Sequence, residues 1–214
     1  MNVEKIRDTI ALAVESEKQT KHLEKVLCLQ IDNLHSAIKL PTDNTIEALL
    51  DFVIKYIQHV PNMLEAVYDV TKNSGITQYV QPFLALAEEY FLKPPEIISG
   101  RTGLDELMDE AYLTHRLIEE INDRYVPKTG IPLIPIDMTS ANLIIHHLIG
   151  EPFANELDDA VHITAESLVT KEAYLESNEF KSYIEQRKKS GWSDVKAKWP
   201  CLTDDLAIDL SLRA

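Results

Sequence analysis

The chain has 214 residues, 45% apolar and 26% charged, which is enough for one large domain or two small ones with a real core. Only 6 glycines and 10 prolines interrupt it, so long periodic runs point to helices and away from a turn-rich β-sandwich. A formal charge of −14 repels nucleic acid and anionic membranes, excludes them as partners, and favours a basic one.

The first helix is predicted from Val3 to Leu40. Its apolar stripe is Val3, Ile6, Ile10, Ala13, Leu23, Leu27, Leu34 and Ile38, at steps of three and four over most of its length. The polar run Glu15–His22 interrupts that stripe, and Glu17 and Thr20 fall where apolar residues are due. Pro41 stops the helix because proline cannot continue the hydrogen-bond ladder.

The second helix starts at a cap among Thr42, Asp43 and Asn44 and carries the strongest stripe: Ile46, Leu49, Leu50, Val53, Ile57, Val60, Leu64 and Val67. Pro61 removes one internal hydrogen bond and predicts a kink. Asn73–Gly75 closes it with a glycine C-cap. A third helix holds Ile76, Tyr79, Val80, Phe83, Leu84, Ala87 and Phe91, with Pro82 near its start. Lys93–Gly103 reads as a loop, and a fourth helix is predicted from Thr102, where Thr102 and Asp105 have capping-box-like spacing.

Pro127–Asp137 combines three prolines with Ile131, Leu133, Ile134 and Ile136. The prolines forbid helix, while the apolar residues do not suit a solvated linker. The segment is predicted to be an extended strap packed on a bundle of residues 1–126, with 127–214 as strap and helical extension. Further helices are predicted at Thr139–Ile149, Pro152–Val169, Lys171–Lys189, Asp194–Trp199 and Asp204–Leu212. The fold class is therefore all-α, an up-down bundle of long helices with a helical C-terminal extension.

Several chemistries fail on spacing. A di-iron carboxylate bundle needs Glu-x-x-His on two helices. The residues three before each histidine are Gln19, Asp32, Tyr56, Tyr112, Leu143, Ile144 and Asp159, and none is glutamate. No glycine-rich phosphate loop or nucleophile elbow is present. Cys28 and Cys201 lie far apart without a CxxC spacing, which argues against a disulfide framework, and Cys28 reads as a core residue. The charged N-terminal stretch and the lack of about 18 consecutive apolar residues lead to an expected cytoplasmic location.

Leu143–Glu166 holds three of the seven histidines among several carboxylates. His146 and His147 stand about 100° apart on a helix, so they cannot share a site. Asp158, His162 and Glu166 step by four and read as a solvated ladder. In the fourth helix the inward stripe is Leu104, Met108, Ala111, His115, Ile118 and Asn122, with Glu119 one turn after His115. Burial should lower the His115 pKa, and the commoner role of such a histidine is structural. If Glu17 enters the bundle, it faces His115 across a polar layer. The candidate ligand-binding residues are thus His115, Glu119, Glu17 and His147.

Trp192 and Trp199 in the basic segment Lys189–Pro200 are the candidate partner anchors. Residues 151–179 hold eight acids against one lysine, and 180–198 hold six basic residues against two acids, an arrangement able to pair two subunits. With no catalytic constellation left, the expected function is a non-enzymatic protein-binding or regulatory module. The alternatives are a bundle binding a metal or small ligand through His/Glu pairs, and an enzyme of another helical class.

Overall fold

The computed structural model describes residues 1–98, 103–135, 137–169, 175–192 and 208–210. The fold is all-α, and its helices pack as a bundle. They are α1 (Val3–Thr20), α2 (His22–Gln30), α3 (Thr45–Asn73), α4 (Thr77–Leu92), α5 (Leu104–Thr129), α6 (Thr139–Ile149), α7 (Phe153–Val169) and α8 (Asn178–Ser190). Two short strands, β1 (Ile38–Lys39) and β2 (Asp209–Leu210), pair antiparallel. Among the described residues no helix is long and apolar enough to cross a membrane.

The expected first helix, Val3 to Leu40, is two helices that end at Gln30, a short 3-10 turn at Ile31–Asn33 and the strand Ile38–Lys39. Lys21 takes the left-handed conformation (φ 50°) and ends α1. The reason lies in the polar run. Glu17 turns back to α2, where its carboxylate accepts the backbone N–H groups of Leu23 (3.1 Å) and Glu24 (3.0 Å). Those amides begin a helix and have no internal partner. A negative group also suits the positive end of the helix dipole. Glu17 is therefore buried as a cap and does not reach His115, whose polar contacts are with α3. Glu17→Ala should cost about 1–2 kcal/mol in urea denaturation, the usual loss for an N-cap. A change within error would show that water replaces the carboxylate there.

Helix α2 buries Leu23 and Leu27 and leaves Cys28 exposed, correcting its expected place in the core. One residue beyond Leu27 is a rotation of about 100°, enough to leave the buried face. Helix α3 runs unbroken through Pro61 and buries a wider stripe than expected, with Phe52, Tyr56 and Met63 added to the aliphatic positions. Gly75 (φ 71°) closes it in the left-handed region.

Helix α5 is the centre of the molecule. It packs against α1, α3, α4, α6 and α7. Every residue from Leu107 to His115 is buried, so the helix has several inward faces in addition to the expected stripe. It begins at Leu104 with Gly103 as cap; Thr102 lies outside the described residues. It also continues through Pro127 to Thr129, where the sequence predicts the strap. Asp123, whose carbonyl Pro127 leaves unpaired, is exposed, so that carbonyl can meet water. Gly130 (φ 77°) ends the helix.

The strap follows Gly130. Leu133 and Ile134 are buried and Ile131 is half-buried, while Ile136 lies outside the described residues. Asn122 of α5 donates through Nδ2 to the Ile134 carbonyl (2.8 Å) and accepts the Ile134 N–H on Oδ1 (3.0 Å). Tyr183 of α8 donates its hydroxyl to the Leu133 carbonyl (2.7 Å). These bonds satisfy backbone groups that an extended buried segment would otherwise leave unpaired.

Helix α6 has its expected limits, and α7 begins one residue after Pro152. Helix α8 begins at Asn178, capped by the Ser177 hydroxyl, seven residues later than expected; 171–174 lie outside the described residues. The predicted helix Asp194–Trp199 also lies outside them. The predicted helix Asp204–Leu212 is corrected at Asp209–Leu210, which pair as a strand with Ile38–Lys39. So short a segment holds a helix poorly by itself, and a strand partner satisfies its backbone instead.

Candidate ligand cleft

Three helices form a polar cleft of about 350 Å³. Helix α5 contributes Tyr112, Arg116, Glu119 and Asp123, spaced four, three and four apart, so they form one stripe. Helix α6 contributes Thr139, Asn142, Leu143 and His146, spaced three, one and three. Asp158 enters from α7.

Arg116 organises the cleft. Its Nε donates to Asp158 Oδ1 (2.9 Å), and its Nη1 donates to Glu119 Oε2. Tyr112 donates its hydroxyl to the same Asp158 oxygen (2.9 Å). Glu119 also accepts from Thr139 Oγ1 (2.9 Å) and from Asn142 Nδ2 (2.8 Å). Asn142 accepts in turn from the buried Tyr56 hydroxyl at 2.6 Å. The chain Tyr56–Asn142–Glu119–Arg116–Asp158–Tyr112 thus ties α3, α5, α6 and α7 together.

Electrostatics follow from this packing. Burial and the Asp158 carboxylate hold the Tyr112 phenol well above its ordinary pKa. Burial does the same for Tyr56. Arg116 remains a cation because its two carboxylate partners outweigh its desolvation. The Asp123 carboxyl is raised, first by desolvation and then by repulsion from Glu119 and Glu120. The lining therefore carries more negative than positive groups.

The sequence candidates divide among several places. Glu119 lies in the cleft. His115 does not: its ring is buried against α3, with Nε2 3.1 Å from the Tyr56 carbonyl and Nδ1 3.3 Å from Met63 Sδ. Burial keeps it well below the ordinary imidazole value, the direction expected from the sequence. One turn on a helix brings His115 and Glu119 close along the axis, yet they face different neighbours.

His147 accepts the backbone N–H of His35 on Nε2 (2.9 Å) and holds the turn after α2. His146 is the histidine that lines the cleft, with Nε2 3.2 Å from Asn155 Oδ1 and 3.5 Å from Asp158 Oδ2. Their separation follows from the rotation between adjacent helical positions. Trp192, in the turn after α8, packs back on that helix, with the Arg187 guanidinium 4.6 Å from its ring centroid and the Tyr183 ring at 6.3 Å. Trp199 lies outside the described residues.

Of the solvated ladder that the spacing suggests, His162 and Glu166 are exposed, and only Asp158 is drawn inward. Asp158 pairs with Arg116, and His162 Nδ1 lies 3.1 Å from Glu120 Oε1. Of the cleft residues only Glu119 is a sequence candidate; the others, Asp123 among them, are not. The available signal was the polar stripe Tyr112, Arg116, Glu119, Asp123, which adjoins the apolar stripe of the same helix.

Fold and cleft define an all-α bundle with a central helix and a carboxylate-rich recess at one side. Comparison with protein-family models, with curated proteins and with solved structures found no match. Among the described residues no group of three or more His, Cys, Asp or Glu side chains could hold a metal ion.

Proposed function

We propose that the chain is a non-enzymatic binding protein whose cleft receives a cationic group presented by a basic partner protein in the cytoplasm. The observation behind this reading is the charge imbalance of the cleft. Glu119, Asp123 and Asp158 surround Arg116, and the Asp123 carboxyl is raised in part by its acidic neighbours. An incoming lysine or arginine side chain would relieve that repulsion. The overall charge of −14 would speed the encounter with a basic surface. A free diamine is the second reading, favoured by a cleft volume of about 350 Å³, within the range of small-molecule pockets.

Calorimetric titration at low salt with a Lys/Arg-rich peptide and with a short alkyl diamine tests both readings. The peptide should bind and be displaced by salt, because exposed charges are screened within about 10 Å at 0.1 M. Asp123→Asn should weaken binding by about threefold to tenfold, the scale of about 1 kcal/mol for one partly exposed charge pair. Binding of the diamine alone would select the second reading. If neither ligand binds, the cleft is not a cation site.

A further inference from the structure

The interior between α3 and α5 holds a contact that hydrogen bonding does not explain. His115 Nε2 lies 3.1 Å from the backbone carbonyl of Tyr56. A carbonyl only accepts, so Nε2 carries the proton and donates it. In the neutral imidazole, Nδ1 is then a bare lone pair. Its neighbour at 3.3 Å is the sulfur of Met63, which has no proton to give. Two lone-pair donors face each other in a buried place.

A third donor is at hand. His59 is one helical turn before Met63 on α3, so the two share a face. Its ring centroid lies 5.2 Å from that of His115. Its Nδ1 is buried without a hydrogen-bond partner among the described residues. Burial keeps both histidines largely neutral, with His59 lowered to about 4.

We infer that His59, Met63 and His115 form a binding site for a soft monovalent metal ion, Cu(I) by class. The geometry favours it. Bonds of about 2.0 Å to nitrogen and about 2.3 Å to sulfur span the observed separation at a ligand–metal–ligand angle of about 100°. Thioether and imidazole ligands select Cu(I) over harder ions. All three ligands are neutral, so a buried divalent ion would keep its full charge uncompensated, and desolvation favours a single charge. The Nε2–H bond to the Tyr56 carbonyl is the outer contact that orients a metal-bound imidazole. The site is separate from the carboxylate cleft and does not depend on what that cleft binds.

The test uses the full chain with Cys28→Ser and Cys201→Ser, which removes thiolates as competing ligands. Anaerobic titration with Cu(I) against a chromogenic chelator should show one ion per chain. X-ray absorption of the complex should show one sulfur neighbour beside nitrogen. Met63→Leu, which conserves volume, should fold normally, lose the sulfur neighbour and weaken Cu(I) binding at least tenfold. His59→Gln should weaken it similarly. Ag(I), with the same charge and softness, should raise the thermal midpoint of the thiol-free chain and not of Met63→Leu. Failure of the thiol-free chain to bind Cu(I) would overturn the inference, as would affinity unchanged in Met63→Leu and His59→Gln.

Discussion

Glu110→Gln should raise stability by less than about 1 kcal/mol at pH 5 and by about 3–5 kcal/mol at pH 9, the span set by its shifted ionisation. Glu110 lies in the buried stretch of α5 and is 4% exposed. Its Oε2 has no hydrogen-bond partner among the described residues. Desolvation, then the charges of Glu106 and Asp109, pushes its pKa up to about 8. Because the folded value is raised above the unfolded one, its contribution is fully present below about 4.5 and is lost as pH rises through about 8. Glutamine keeps the shape and cannot ionise.

His59 acts in the opposite sense. Its folded value is depressed to about 4, so its contribution is present above about 6.5 and lost as pH falls through about 4. Between about 4.5 and 6.5 the two slopes oppose each other, and the fall on the alkaline side belongs to Glu110. Urea denaturation of wild type and variant from pH 5 to 9 reads the difference directly. Parallel curves would show that Glu110 gains a partner or water when it ionises.

Asn122→Ala should destabilise the protein by about 2–4 kcal/mol, because two buried backbone groups lose their partner together. Asn122 is 6% exposed, and its amide brackets the N–H and carbonyl of Ile134. Alanine provides neither group, and the strap has little secondary structure to take over. The loss should be accompanied by faster tryptic cleavage at Lys128, which lies just before the strap. Denaturant unfolding giving less than 1 kcal/mol, with cleavage unchanged, would show that the Tyr183 bond to Leu133 holds the strap without Asn122.

Position along the chain decided how much was legible. The α3 stripe, the limits of α6 and the burial of Leu133 and Ile134 all follow from apolar spacing, because a residue that must leave water marks its own face. Asn122 was already visible as a polar residue at an inward position. The break at Lys21 was present as a polar run, but a run of polar residues looks the same whether a helix projects or stops. Glu17 shows why: its partners are amides six and seven residues ahead, freed only when the helix ends. Pro127 failed in the other direction, since proline removes one hydrogen bond without forcing a helix to end, as Pro61 inside α3 also shows.

The sequence by itself determined the all-α class, the order of most helices and the buried strap, because periodicity records which side of an element is apolar. Only the tertiary structure decided the cleft and the contacts of the buried His115. Arg116 meets Asp158 across 42 positions, and His115 meets Met63 across 52. Such polar contacts depend on how each helix is rotated about its axis and which neighbour it faces. That rotation is set by side-chain packing across the whole bundle, and hydrophobic spacing within one helix carries no record of it.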